Sequence, residues 1–131
     1  MKTHPKHLFV HIGGFGAPFH SIELYKKGVL YKVEGTQTQL INPTERQWKA
    51  FRVALDSIGV WAWKENYETA GSVDGTNWRL EVDYEDTQVS SYGRNNYPKT
   101  NGSPCDSMDY AKEFKDLLKA VRALIGGCEF Y

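Results

Sequence analysis

Hydrophobic positions recur along this chain with two different periods, and each change of period marks an element. Leu8, Val10 and Ile12 alternate with Phe9 and His11, which predicts a strand ending in the breaker-rich run Gly13-Gly14-Phe15-Gly16-Ala17-Pro18. Alternation resumes with Ile22 and Leu24 and then Val29, Tyr31 and Val33, so residues 22–26 and 29–33 are expected to pair as a hairpin across Lys27-Gly28. The period then lengthens. Asn42-Pro43-Thr44-Glu45 has the make-up of a helix start, with Asn42 as the cap, Pro43 in the first helical position and Glu45 three residues after the cap. Trp48, Phe51, Leu55 and Ile58 follow at helical spacing, and Gly59 supplies a left-handed stop after about Ser57.

The second half repeats this alternation of periods. Val60-Trp61-Ala62-Trp63 carries strand character, and a polar connection leads to Asp74-Gly75 and the clearest strand of the chain, residues 78–85. Trp78, Leu80, Val82 and Tyr84 fall on one face of it, and Arg79, Glu81, Asp83 and Glu85 on the other. Residues 88–92 are its expected hairpin partner, and residues 93–104 form a loop rich in Asn, Gly, Ser and Pro. Asp106 is placed to cap a last helix bearing Tyr110, Phe114, Leu117, Leu118, Val121, Leu124 and Ile125, which Gly126-Gly127 ends. Three strands and a helix, then three strands and a helix, hint at a duplicated βββα unit, with Trp48, Phe51, Leu55 and Ile58 answering Phe114, Leu117, Val121 and Leu124. The fold class is therefore α+β: residues 1–131 as a single domain, an antiparallel sheet of about six strands with two helices on one face.

Composition narrows the classes of function. The 131 residues hold sixteen basic and sixteen acidic side chains, so the chain lacks the cationic footprint of a nucleic-acid or anionic-membrane binder. The balance is uneven along the chain: residues 1–64 carry nine Lys/Arg against four Asp/Glu, and residues 65–131 seven against twelve. Interleaving of strands from the two halves is expected to cancel that asymmetry. No apolar run approaches a membrane span and no export signal is visible. Cys105 and Cys128 flank a helix that would hold them roughly 28 Å apart, far beyond the ~7 Å that a disulfide tolerates. Two free thiols point to a cytoplasmic setting.

Candidate chemistry is sparse. The glycine-rich run after the first strand lacks the helix that a dinucleotide-binding loop needs, so it is read as a turn between strands. His4, His7, His11 and His20 cluster in sequence, but Pro5 separates the first pair and no Cys or carboxylate motif completes a zinc pattern; no metal or other cofactor is expected. No nucleophile elbow, metalloprotease helix or phosphate-binding loop sequence is present. Glu81 and Asp83 have the chemistry of acids or bases, but Arg79 beside them indicates ordinary cross-strand charge pairing.

The most unusual stretch runs from Ser90 to Pro98, where Arg94, Asn95, Asn96 and Tyr97 put a guanidinium, two amides and a phenol at a strand exit. Arg94 is suited to clamping an anion and the Asn side chains to reading a polar ligand. Asx turns and packing of Tyr97 on the core are the plainer explanation. Trp61, Trp63 and Trp78 are expected beside this loop, completing a ligand or partner site. The pattern Trp63-x-x-x-Tyr67, Asp74-Gly75-x-x-Trp78-x-Leu80, Tyr92-Gly93-x-Asn95-x-Tyr97-Pro98 before an amphipathic helix resembles a group of small bacterial proteins to which no activity is assigned. The resemblance implies a shared fold and no chemistry.

Three functions follow in order. The first is a non-catalytic binding module with a protein partner or a second copy of itself, the class that includes toxin-neutralising and defence-inhibiting domains. The second is a domain binding a small polar or anionic ligand through Arg94, Asn95, Asn96 and a tryptophan. An enzyme without a recognisable motif comes third. An open second sheet face, bearing Tyr25, Trp61 or Trp63 and the row Arg79, Glu81, Asp83, would favour the first.

Overall fold

The computed structural model describes residues 3–14, 17–68, 76–94, 97–98, 104–105 and 112–131. The strands are β1 (His7–Gly14), β2 (Ala17–Tyr25), β3 (Gly28–Val33), β4 (Gln39–Ile41), β5 (Asn66–Glu68), β6 (Asn77–Asp83), β7 (Gln88–Arg94), β8 (Tyr97–Pro98) and β9 (Pro104–Cys105). The helices are α1 (Glu45–Ile58) and α2 (Lys112–Leu124). Seven strands form one sheet in the order β4-β3-β2-β1-β6-β7-β5, antiparallel except where β5 lies parallel to β7, and β8 pairs with β9 separately. The α+β class and the antiparallel sheet are as the alternating pattern requires, with one strand more than expected.

Period-two alternation decides the core. Leu8, Val10 and Ile12, Ile22, Val29, and Trp78, Leu80 and Val82 turn to one face and are buried there. Trp48, Phe51 and Leu55 of α1 and Phe114, Leu117, Leu118, Val121 and Leu124 of α2 cover that face. Among the described residues, no helix is long and apolar enough to cross a membrane. Gly13 faces the other way, and a Cβ there would lie 1.9 Å from Cδ1 of Phe19, so the glycine lets the Phe19 ring lie across β1 on the open face.

Local sequence signals were mostly right about type and less so about position. The α1 cap is Thr44, not Asn42: the Thr44 hydroxyl accepts from the Gln47 backbone N–H at 3.1 Å, and the Gln47 side-chain oxygen accepts from the Thr44 N–H at 2.8 Å. That reciprocal pair satisfies two donors at once, which outweighs the Asn-Pro signal two residues earlier. Gly59, at φ 82°, ends α1 as expected. The β2–β3 turn is Lys26-Lys27, one residue earlier than expected, because Gly28 already pairs with Tyr25.

Val60-Trp61-Ala62 is not a strand but a turn of 3₁₀ helix, closed by bonds from Ala62 N–H to the Gly59 carbonyl and from Trp63 N–H to the Val60 carbonyl. A four-residue apolar run carries too few positions to distinguish the two. The edge strand of the second half is β5 instead, formed by Asn66, Tyr67 and Glu68 inside the expected connection. The second half therefore does not repeat the meander of the first, and the duplication hinted at by the helices is not carried into the sheet. Nor do the strands of the two halves interleave: β1 to β4 form one side of the sheet and β5 to β7 the other. Asp106 and Tyr110 lie outside the described residues.

Candidate functional site

A cleft of about 440 Å³ lies at the outer edge of β7. Its walls come from two sides of the sheet. Trp61 and Trp63 approach from the helix side, whereas His7, Glu81, Asp83 and Ser90 belong to the open face, with Glu65 at the rim. Register places these residues: Glu81 lies opposite Phe9 and Ser90, and Asp83 opposite His7 and Gln88.

Trp61 is held in place by a cluster around Arg52. The Arg52 guanidinium, only 7% exposed, bonds both carboxylate oxygens of Asp86 at 2.9 and 3.0 Å and, through Nε, the Asp56 carboxylate at 3.0 Å. Its charged carbon lies 4.6 Å from the Tyr84 ring centre and 5.5 Å from that of Trp61. Asp56 Oδ1 also accepts from Trp61 Nε1 at 2.8 Å. The hydrogen bond to Asp86 raises the Arg52 pKa further above its already high value, and burial pushes the Tyr84 hydroxyl up. One arginine thus ties α1, the β6–β7 turn and the cleft wall together.

The segment after Trp61 is stitched to β7 at one end only. Ser91 donates its hydroxyl proton to the Lys64 carbonyl, Tyr92 N–H donates to the Glu65 carbonyl at 2.9 Å, and Lys64 N–H donates to the Tyr67 hydroxyl at 2.9 Å. From Tyr92 to Arg94 the edge is covered by β5. Among the described residues, no strand pairs with the outer edge of β7 from Gln88 to Ser91, and there the cleft opens.

On the open face, Glu81 is held between Arg79 and His7. Arg79 bonds one carboxylate oxygen at 3.0 Å and His7 Nε2 the other at 3.1 Å. Burial acts to raise the Glu81 carboxyl, but the bonds from Arg79 and His7 outweigh it and hold the group below its usual range, so it stays ionised. The pairing with Arg79 runs along one strand, not across two. Arg79 also lies over the Tyr92 ring at 5.1 Å. Further along the face, Phe9, His11 and Phe19 stack in a row, and burial together with the Arg79 charge lowers the His11 pKa.

Of the site residues predicted from sequence, the structure describes the side chains of Trp61, Trp63, Trp78 and Arg94. Trp63 and Trp78 are core: they meet edge to face at 6.0 Å and both pack on Phe114. Of the three tryptophans, Trp61 and Trp63 line the cleft, and neither lies on the open face with Tyr25. Arg94 is half-buried at the other end of β7, where its Nε donates to Asn77 Oδ1 across the hairpin at 2.8 Å. Asn95 and Asn96 lie outside the described residues; Tyr97 pairs with Cys105 in β8–β9, and neither side chain is described. Cys128 is a free thiol. The four histidines separate: His4 bonds Glu45, His7 bonds Glu81, His11 stacks on Phe19 and His20 is buried beside Phe130. Among the described residues, no group of His, Cys, Asp or Glu suited to a metal ion comes together.

Sequence reasoning missed His7, Glu65, Gln88 and Ser90 as a group. The alternation of Gln88 and Ser90 with buried Val89 was a readable signal for their face, but nothing local said that this edge would be left unpaired. No family model, curated protein or solved structure matches the chain.

Proposed function

We propose that this chain is a small non-catalytic binding module that receives a cationic group of a protein partner in the cleft beside β7. The observation that carries this reading is the meeting, in one cleft, of two indole rings with the carboxylates of Glu65, Glu81 and Asp83. Aromatic faces and carboxylates both attract a cation, and a concave, partly apolar site desolvates it enough for that attraction to count.

Catalysis is disfavoured by the same geometry. Glu81 is already engaged by Arg79 and His7, so it is a poor proton acceptor at neutral pH. His7 and Ser90 stand on strands flanking β6, two strand spacings or about 10 Å apart, too far for a direct proton relay.

The test is a nuclear magnetic resonance titration with arginine amide as the probe. Binding in the cleft predicts shifts at the Trp61 indole N–H and the amides of residues 88–90, weakened by salt and by Asp83→Asn. Acetylated glutamate serves as the anionic counterpart: shifts centred on Arg94 with that probe, and none with arginine amide, would replace this reading with the alternative of an anionic ligand.

A further inference from the structure

We infer that the natural occupant of the cleft is an extended peptide that adds as a strand to the uncovered half of the β7 edge, placing a lysine or arginine toward Glu65, Glu81 and Asp83. The inference rests on the cationic-cleft reading and specifies the partner's backbone as well as its charge.

The ladder fixes which β7 groups face outward. Tyr84 N–H bonds the Thr87 carbonyl at 2.8 Å to close the β6–β7 hairpin. In an antiparallel ladder, bonded and non-bonded pairs alternate from there, so Val82–Val89 and Leu80–Ser91 bond each other, whereas Gln88 and Ser90 direct their backbone groups away from β6. The outward bond from Tyr92 N–H to Glu65 confirms this parity independently. Gln88 and Ser90 thus turn an N–H and a carbonyl each toward the cleft, where no strand among the described residues pairs with them, and such an edge is a template for another strand.

The walls also match a strand. Side chains of an added strand alternate between the two sheet faces. On the open face they would meet Glu81 and Asp83; on the helix side they would meet Trp61 and Trp63, with Glu65 at the rim. The fitting sequence alternates basic with apolar residues. Because β5 occupies the same edge from Tyr92 onward, only the rungs at Gln88 and Ser90 are open, which limits the paired segment to about three or four residues, roughly 10–13 Å of strand.

The experiment uses fluorescence anisotropy with the whole chain and a labelled hexapeptide pool in which lysine alternates with varied apolar residues. Two further pools carry N-methyl groups on alternate amides, one on the odd positions and one on the even. Strand addition predicts that one methylated pool loses about tenfold or more in affinity while the other binds as before, since only one set of amides faces β7. Ser90→Pro should weaken the unmethylated pool by a similar factor. It removes an outward N–H that the β6 ladder does not use, and near-ultraviolet circular dichroism would verify the fold. Equal binding by all three pools overturns strand addition and leaves the cationic cleft standing. Arginine amide binding without any peptide binding overturns the inference alone, and failure of both probes overturns the inference and the reading beneath it.

Discussion

Arg52 and Arg79 are set in similar clusters. Each bonds a carboxylate and lies over a tyrosine ring, at 4.6 Å for Arg52 on Tyr84 and 5.1 Å for Arg79 on Tyr92. They differ in burial. Arg52 is 7% exposed and held from two elements, whereas the Arg79 side chain is 47% exposed and bonds a carboxylate on its own strand. Burial removes competing water, so the first cluster braces the fold; the second is hydrated and its energy contribution is small. The same residue types become a buried brace on one side of the sheet and a hydrated surface cluster on the other.

Breaking the brace should have the largest effect. Arg52→Ala should lower stability by about 2–3 kcal/mol, less than the loss of a fully enclosed pair because the orphaned carboxylates of Asp56 and Asp86 return to water. Urea denaturation measures it, and an unchanged midpoint would show that burial does not separate the two clusters. Asp56→Ala removes one of the bonds to Arg52 and the anchor of Trp61, but leaves Asp86 on Arg52. A loss of about 1 kcal/mol is expected, together with weaker arginine amide binding as the Trp61 wall loosens.

Glu81→Gln inverts that profile. Its pairs are hydrated, so stability should change by less than about 1 kcal/mol while arginine amide binding falls severalfold. A variant that unfolds readily yet keeps its affinity would exchange the roles assigned to the two clusters.

The smallest effect is in the pH dependence of the urea midpoint. His11 is held below its ordinary pKa, so below about pH 6.5 the unfolded chain takes up its proton first. Stability is complete above that pH and declines as pH falls through the lower folded value. His11→Phe should remove this step. Glu81 and Asp86 are also held low, so their contributions are present above the ordinary carboxylate range and are lost as pH falls through their folded values. That acid limb should survive in His11→Phe, and a variant that lost both limbs would place the whole titration at His11.

The sequence by itself determined which residues face the core. Leu8, Val10, Ile12, Trp78, Leu80 and Val82 were legible because side-chain direction along a strand or helix depends on neighbours a few positions away. Gly59 and Gly126 marked helix ends for the same local reason. Tertiary structure decided the rest: that β1 pairs with β6, that residues 66–68 rather than apolar 60–63 make the second-half edge strand, and that Arg52 meets Asp86 thirty-four positions away. It also decided which residues meet in the cleft. Arg94 and its loop stand out in the sequence because unusual residues are adjacent there, whereas the cleft assembles His7, Trp61, Glu65, Glu81 and Ser90 from four separate stretches. Strand pairing is a long-range choice among many compatible partners, and an edge is defined by the strand that does not pair with it, so no local pattern records either one.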